Sequence, residues 1–260
     1  MVGAAAVMTF GVWAFWSSSS LGQSESALQD GVTNLRIDVL REFRHDISAY
    51  TQGLLWYEGK LYESTGETGK SDLRRLDPTT GAVERLIDLD PSLFGEGLAR
   101  VDRRLIQLTW KSEIAFVYDL DTFETEDDFR YVGEGWGLAF DGRRLIMSDG
   151  SARLTFRDPQ TFDETGGLLV TLRGLAFRDL NELEWVDGSI YANVWQQDII
   201  VRIDPRSGEI TEVIDAAGLL SPRESRGTDV LNGIAYNPES QTFYITGKLW
   251  PKMFEVRFVS

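Results

Sequence analysis

A single acidic residue stands between two glycines in residues 94–98, which read FGEGL. Glu96 could take and give a proton near neutral pH if burial raised its pKa. The glycines leave room beside the carboxylate, and the apolar residues around them predict that this segment enters an interior. Taken alone, however, the pattern favours a turn glutamate that faces water, since glutamate is rarely buried without a partner.

The same short pattern recurs at five places in the chain. A polar or aromatic head residue is followed by a small or acidic residue, an apolar residue, a turn rich in Gly, Asp or Asn, and a β-type run. The segments are QGLLWYEGKLYESTG from Gln52, EGLARVDRRLIQLTW from Glu96, WGLAFDGRRLIMSDG from Trp136, NELEWVDGSIYANVW from Asn181 and NGIAYNPESQTFYITGK from Asn232. Their head residues lie 44, 40, 45 and 51 positions apart. Such self-similarity predicts one supersecondary unit per repeat.

A unit of roughly 40–50 residues with four strands is typical of a β-propeller blade. Each repeat except the last continues into two further strand-like runs around a turn rich in Asp, Pro and Gly. The last repeat lacks its outer strand, whereas residues 33–43 have strand character and no blade of their own. The sequence therefore predicts an all-β fold, a five-bladed β-propeller over residues 30–260, in which the N-terminal strand closes the last blade.

The head residues of a propeller's repeats converge at one mouth of its central channel. They are Gln52, Glu96, Trp136, Asn181 (followed by Glu182) and Asn232. The residue type changes while the frame stays constant, which indicates a site built on a symmetric scaffold. A second set, at the ends of the same strands, comprises Trp110, Trp195, Lys248 and Trp250. Aromatic walls with few polar groups are typical of small-ligand pockets.

The residue types in this predicted pocket indicate acid–base chemistry. Glu96 would exchange a proton, the amide side chains of Gln52, Asn181 and Asn232 would orient a polar substrate, and Lys248 would stabilise an oxyanion. The chain has no cysteine and a single histidine, His45, so thiol nucleophiles and zinc sites of paired histidines are not available. We predict no metal and no cofactor, and we interpret His45 as a structural residue at the closure of the ring.

Charge and the N-terminal segment indicate partners and location. The formal net charge is −15 with no cluster of Lys or Arg, so the sequence predicts no nucleic-acid partner. Residues 2–16 are apolar apart from one Thr and precede four serines. This run is shorter than the about 20 residues of a membrane span and suits an export signal, although no basic residue precedes it. We predict that residues 1–25 are a signal peptide or an N-terminal membrane anchor. The protein would be exported, periplasmic or secreted, and a monomer with no integral membrane partner.

Six segments, in order along the chain, resemble the plant and bacterial type of glutaminyl-peptide cyclotransferase, the glutamine cyclotransferase family. They are RHDISAYTQGL from Arg44, FGEGL from Phe94, GEGWGL from Gly133, LNELEWVDGSIYANVW from Leu180, LNGIAYN from Leu231 and TGKLWPKMFEV from Thr246. The resemblance implies a five-bladed propeller that needs no metal. Its implied activity converts the N-terminal glutamine of peptides or proteins to pyroglutamate with loss of ammonia.

The resemblance also implies roles for individual residues. Glu96 would carry a proton from the attacking α-amine to the leaving ammonia. Gln52, Asn181 and Lys248 would hold the substrate's amide and amine. The pocket walls would be Trp110, Trp136, Trp195 and Trp250. Two positions depart from the family pattern, Tyr50 in place of Phe and Arg44 in place of Pro, and neither touches the implied chemistry.

Two other functions fit the same repeat pattern. A propeller that binds peptides or sugars without catalysis could use the same cleft, but it would have no need of a titratable acid at the mouth. A metal-dependent hydrolase of the lactonase kind could hold Ca²⁺ or Zn²⁺ with Glu96, Asn181 and Asn232, since Ca²⁺ prefers oxygen ligands.

Overall fold

The computed structural model describes residues 31–260 of the chain, which form β-strands and turns and contain no α-helix. The all-β class expected from the repeats is thereby confirmed. The predicted export segment, residues 1–25, lies outside the described part. Residues 31–260 include no helix that is long and apolar enough to cross a membrane.

Three separate sheets have four strands each, and in every one the strands follow one another in chain order. The first comprises β2 (Thr51–Tyr57), β3 (Lys60–Thr65), β4 (Asp72–Leu76) and β5 (Val83–Asp88). The second comprises β6 (Gly95–Val101), β7 (Arg104–Thr109), β8 (Ile114–Asp119) and β9 (Thr125–Arg130). The third comprises β10 (Leu138–Phe140), β11 (Leu145–Met147), β12 (Arg153–Arg157) and β13 (Glu164–Leu169). Neighbouring strands within each sheet are antiparallel.

The remaining two repeats share one eight-stranded sheet because the N-terminal strand joins them. One half is β16 (Leu180–Val186), β17 (Ser189–Val194), β18 (Ile199–Ile203) and β19 (Ile210–Asp215). The other half is β20 (Leu231–Asn237), β21 (Thr242–Gly247), β22 (Lys252–Val259) and β1 (Thr33–Arg44). A two-stranded ribbon, β14 (Thr171–Leu172) and β15 (Leu175–Ala176), precedes β16.

Strand β1 supplies the outer strand that the last repeat lacks. It pairs antiparallel with β22, from Arg36 opposite Val259 to Arg44 opposite Lys252. Pairing of the N-terminal strand with the last repeat is therefore present over residues 36–44, whereas the prediction gave residues 33–43. The sequence did not predict that the start of β1 also pairs in parallel with β19, with Thr33 opposite Glu212. This second pairing merges two four-stranded units into one sheet.

The core is divided into five clusters, each between two neighbouring four-stranded units. Leu73 and Leu105, for example, join the first and second sheets. Leu54 and Tyr244 join the first sheet to the last unit, so the series of clusters returns to its start. Burying one such leucine contributes roughly 1.5–3 kcal/mol, and the sum over five interfaces holds the units together.

The innermost strands are β2, β6, β10, β16 and β20, the first strand of each repeat. They contact one another in that order, and β20 contacts β2 again. Since each begins at or beside a head residue, the head residues are brought to one place although they are 40–51 positions apart in the chain.

Candidate active site

The head residues lie where the strand ladders are interrupted. Register shifts occur between Thr51 and Gly53 and between Gly95 and Leu98, and the strands β16 and β20 carry equivalent shifts after Leu180 and Leu231. A bulge of this kind turns a side chain away from the pleat, and bulges are common beside functional sites. The third head residue, Trp136, precedes its strand altogether. The head side chains are therefore free to face the channel mouth.

The glycine that follows each of three head residues in the sequence allows the innermost strands to pack closely. A Cβ at Gly53 or at Gly97 would lie 2.5 Å from a backbone nitrogen of the next innermost strand, and one at Gly137 would lie 2.1 Å from Asn181 O. Such distances exclude any side chain. The recurring head–Gly–Leu pattern is thus a packing requirement of the ring, while the head residue itself is left to vary.

These elements enclose a cavity of about 370 Å³ at the mouth of the channel, within the size range of small-ligand sites. It is lined by Tyr50, Gln52, Phe94, Glu96, Trp110, Trp136, Asn181, Trp195 and Lys248. Of the predicted site residues the structure therefore brings together all but Asn232 and Trp250. The sequence analysis did not assign Tyr50 and Phe94 to the pocket, although each stands two positions before a predicted head residue.

Glu96 is buried at the floor of this pocket with very little charge compensation. Its side chain accepts one hydrogen bond, from Gln52 Nε2 to Glu96 Oε1 at 3.1 Å. Only 4% of Glu96 is exposed, and no ion pair within 4.0 Å among residues 31–260 includes it. Burial raises the pKa of Glu96 well above its usual range. The charge of Lys248 lowers that pKa, and the charge of Glu134 raises it further.

Lys248 is the cation of the pocket and is almost fully buried. Burial lowers the pKa of Lys248, while the charges of Glu96 and Asp229 raise it. Its Nζ lies 4.8 Å from the ring centroid of Tyr50, whose hydroxyl donates to Asp229 Oδ2 at 2.8 Å. This hydroxyl contact depends on the Tyr found here in place of the family's Phe.

An amide pair fixes the orientation of Gln52. Asn232 Nδ2 donates to Gln52 Oε1 at 3.2 Å and to Thr51 O at 3.0 Å, so the Gln52 amino group is the end that faces Glu96. Asn232 is fully buried behind Gln52 and does not line the cavity. Asn181 does line it, and within residues 31–260 its Oδ1 has no hydrogen-bond partner. That oxygen is itself buried, so it is an unsatisfied acceptor beside the pocket.

The walls are aromatic and contact one another at an angle. Trp136 and Trp195 are arranged edge to face with centroids 5.7 Å apart, and Phe94 lies 5.6 Å from Trp110 and 6.0 Å from Tyr50. Both Trp110 and Trp136 donate their indole N–H to Glu134, at 2.7 and 3.0 Å. The sequence offered no signal for Glu134, because its partners come from two different repeats.

Trp250 is buried in the core and does not form a wall. It belongs to the cluster between the two halves of the eight-stranded sheet, and its indole N–H donates to Asp229 O at 2.9 Å. The reversal of the chain at Leu249, with φ of 60°, directs Trp250 inward. Repeat spacing located this turn correctly but contains no information on the direction of the following side chain.

A second buried carboxylate, Glu63, lies in β3, and one of its oxygens has two hydrogen-bonding partners. His45 Nε2 lies 2.9 Å from Glu63 Oε1, which also accepts from Thr51 Oγ1 at 2.6 Å. The other ring nitrogen of His45 lies 2.9 Å from Trp250 O, so both nitrogens face acceptors and the imidazolium form fits. His45 thus connects the end of β1 to the first sheet, in agreement with its interpretation as a structural residue.

The charges of this cluster favour one another despite burial. Burial opposes the imidazolium, but the attraction of Glu63 outweighs it and the pKa of His45 is raised. Burial likewise opposes the Glu63 carboxylate, but His45 and Arg74 outweigh it and the pKa of Glu63 is lowered.

Glu182, the residue after the fourth head residue, connects three innermost strands. Its two carboxylate oxygens accept from Leu54 N at 3.2 Å and Ile234 N at 2.9 Å. It is fully buried, and burial raises its pKa well above the usual range. Glu182 does not line the cavity, and both of its hydrogen bonds are with backbone N–H groups of other innermost strands.

The three ligands considered for a metal-dependent hydrolase are not arranged around one point of the pocket, because Asn232 lies behind Gln52 and donates its amide to it. Residues 31–260 contain no group of three or more His, Cys, Asp or Glu side chains that could hold a metal ion.

Comparisons with known proteins point to one family. The model of the family described as glutamine cyclotransferase matches residues 11–258. A glutaminyl-peptide cyclotransferase of Arabidopsis thaliana is 42% identical in an alignment of 256 residues that covers 96% of this chain and 78% of that protein. The crystal structure of the glutaminyl cyclase of Myxococcus xanthus is similar with a TM-score of 0.80 and 39% identity, covering 88% of this chain and 98% of that one.

Proposed function

The chain belongs to the glutamine cyclotransferase family, and we propose that it converts the N-terminal glutamine of peptides or proteins to pyroglutamate with release of ammonia. It is a glutaminyl-peptide cyclotransferase. For its mechanism we propose that Glu96 carries the proton and that no metal takes part. The observation that carries this proposal is a pocket-lining carboxylate that is buried and, among residues 31–260, accepts a hydrogen bond from Gln52 alone.

The scaffold we propose is a five-bladed propeller in one domain. It is supported by the cyclic order of the innermost strands and by the five core clusters between neighbouring units. Strand β1 would close the last blade through its pairing with β22. Export of the protein through residues 1–25 stays a prediction from the sequence.

The reaction requires one proton to move between two nitrogens. The neutral α-amine attacks the γ-carbonyl carbon of the glutamine side chain, so a C–N bond forms and the carbonyl oxygen takes the electron pair. The Glu96 carboxylate accepts a proton from the attacking nitrogen and gives it to the amide nitrogen. The amide C–N bond then breaks, the carbonyl re-forms, and ammonia leaves with no net change in protonation. The raised pKa of Glu96 suits a group that both accepts and donates.

Polar side chains around Glu96 can hold the substrate for this exchange. Gln52, fixed by Asn232, presents its amino group beside Glu96 and can donate to the substrate as well. Asn181, which lines the pocket, can form a hydrogen bond with the substrate's side-chain amide through its own amide group. Lys248, which lines the pocket, can donate to the oxygen on which negative charge develops, and this lowers the barrier.

The aromatic walls contribute by restricting the substrate. Ring closure needs the amine and the γ-carbonyl carbon in contact, and holding two reacting groups in this geometry can replace a large part of the entropic barrier. Trp136 and Trp195 together with Phe94 and Trp110 form two sides of the cavity. We infer that the glutamine side chain folds back on its own amine between them.

The donors of the pocket support a reaction without a metal. Among the residues lining the cavity in the described part of the chain, Glu96 is the one carboxylate, and none is a histidine. Lys248 is the one Lys or Arg among these lining residues, and its ammonium group can donate a hydrogen bond to the developing oxyanion.

Mass spectrometry of a Gln-Xaa peptide incubated with the purified protein tests the proposal. We expect loss of one ammonia from the peptide, at an unchanged rate after exhaustive treatment with a chelator. An Asn-Xaa peptide is the matched control, because its side chain is one methylene too short to close a five-membered ring and it should stay unchanged.

Two outcomes would contradict the proposal in different ways. If the Gln-Xaa peptide binds but keeps its mass, the protein is a binding module and not a cyclase. If chelation abolishes cyclisation and an added divalent metal restores it, the metal-free route is wrong although the activity is right.

A further inference from the structure

One carboxylate oxygen receives the indole N–H groups of two pocket walls. Glu134 lies in the loop between β9 and β10, and its Oε2 accepts from Trp110 Nε1 at 2.7 Å and from Trp136 Nε1 at 3.0 Å. Trp110 follows β7 of the second sheet, whereas Trp136 heads the third repeat. Glu134 therefore connects walls from two different units of the ring.

The other oxygen of Glu134 is occupied as well. Lys111 Nζ lies 3.3 Å from Glu134 Oε1, and the same ammonium lies 3.8 Å from the centroid of the Trp110 ring. Hydrogen bonds to a charged acceptor are shorter and stronger than those between neutral groups, so this arrangement holds the indoles in one orientation. Glu134 does not line the cavity, and its oxygens contact the two indoles and Lys111.

The loop that carries Glu134 is anchored independently of these bonds. Gly135 N donates to Trp110 O at 3.0 Å, and Gly133 N donates to Glu113 Oε1 at 2.8 Å. The Glu134 side chain is 37% exposed, so its removal leaves no cavity in the core. The backbone position of the loop and the orientation of the indoles can therefore be tested separately.

We propose that Glu134 is a positioning residue that sets the width of the pocket by holding Trp110 and Trp136 through their indole N–H groups. This inference rests on the proposed function, since the pocket it shapes is the one assigned to N-terminal glutamine. Glu134 acts on substrate binding through the tryptophans and not by contact with the reacting atoms.

Steady-state kinetics with a Gln-Xaa peptide separates this role from a structural one. For Glu134→Ala we expect KM to rise by about tenfold while kcat falls less than about threefold, the pattern of an interaction lost equally in ground and transition states. Glu134→Gln keeps an acceptor oxygen of the same reach, so its KM should stay within about threefold of the wild type. Glu113→Ala, which frees the same loop without touching the indoles, is the matched control and should leave KM unchanged.

A readout without substrate keeps this inference independent of the activity. With 5-fluorotryptophan incorporated, the ¹⁹F resonances of Trp110 and Trp136 can be assigned from the variants Trp110→Phe and Trp136→Phe. We expect Glu134→Ala to shift or broaden these two resonances and leave those of Trp56, Trp185 and Trp250 in place. Glu113→Ala should leave all of them in place.

The results distinguish failure of this inference from failure of the proposed function. A wild type that does not cyclise glutamine overturns the function, while shifted resonances in Glu134→Ala would still support the positioning role. Unchanged resonances, or a Glu134→Gln variant as impaired in KM as Glu134→Ala, would overturn the positioning role. If Glu134→Ala does not fold, Trp136→Phe removes one donor and keeps a ring, and an unchanged KM in it would overturn the role too.

Discussion

Two glutamates, Glu96 and Glu63, are both buried in this ring and have opposite surroundings. Glu96 opens on the pocket with one neutral donor, and burial raises its pKa. Glu63 lies in β3 against His45, with Arg74 Nε 4.0 Å away, and its pKa is lowered. We infer that a buried acid suits proton transfer where it lines a pocket and its charge is left uncompensated, as at Glu96. A compensated carboxylate stays ionised and acts as a structural connection.

The substitution of glutamine for glutamate at both positions tests this comparison, and its largest effect on activity is expected at Glu96. We expect Glu96→Gln to lower kcat by roughly 10²–10⁴-fold, the usual contribution of general acid–base catalysis. A carboxyl with a raised pKa in the folded state loses stability as pH rises above its unfolded pKa, because the unfolded state ionises first. The variant should therefore melt at the same or a higher temperature near neutral pH. Near-normal turnover would remove Glu96 from the mechanism.

Glu63→Gln should produce the reverse result. It leaves His45 without its buried anion, although Arg74 keeps its ion pair with Asp72, and removing one partner of a buried pair costs about 3–5 kcal/mol. We expect this loss in the free energy of unfolding measured with urea, whereas kcat per folded molecule should fall far less than in Glu96→Gln. If Glu63→Gln unfolds normally but cannot turn over, the division between the two sites is wrong.

The contribution of the His45–Glu63 pair should depend on pH in two directions. His45 has a raised pKa, so its contribution is complete below its unfolded pKa of about 6.5 and is lost as pH rises through the folded value. Glu63 has a lowered pKa, so its contribution is complete above about 4.3 and is lost as pH falls through the folded value.

The stability difference between wild type and Glu63→Gln should therefore be largest between these two values and narrow on both sides. A tenfold difference in acid dissociation constant between the folded and unfolded states corresponds to about 1.4 kcal/mol of stability. Urea unfolding at a series of pH values measures it, and a stability difference that does not change with pH would contradict the ionic character of the pair.

The smallest effects concern the charges that act on Glu96 from a distance. Lys248 lowers the pKa of Glu96 and Glu134 raises it. Since catalysis requires the carboxylate, the acid limb of kcat/KM should move to higher pH in Lys248→Met and to lower pH in Glu134→Gln. The second displacement should be smaller than the first, because Glu134 is partly exposed and solvent screens its charge. Displacements in the same direction would contradict this assignment.

Periodicity is what made the site predictable from sequence. Gln52, Glu96, Trp136 and Asn181 share a frame, and a constant frame in a closed ring brings equivalent positions together. The all-β class follows from the same repeats.

The unpredicted parts are contacts between side chains that share no frame. Glu134 meets indoles from two repeats, and Glu63 meets a histidine from the strand that joins the ends of the chain. Trp250 illustrates a second limit. The repeat spacing gives its position along the chain, but the positive φ of Leu249 determines the direction of its side chain.

The bulges at the head residues have a consequence for how this scaffold can change over generations. At these bulges the main chain donates hydrogen bonds to neighbouring units. Gly97 N donates to Trp136 O at 2.7 Å, and Gly233 N donates to Asn193 Oδ1 at 2.8 Å. Neither bond uses a head side chain. Mutation can therefore sample new residues at the four head positions that line the pocket, one at a time, while the glycines and ladders that close the ring are inherited unchanged. Asn232 is the exception, because its side chain donates to Thr51 O. Such a ring can acquire a different chemistry without first losing its ability to fold.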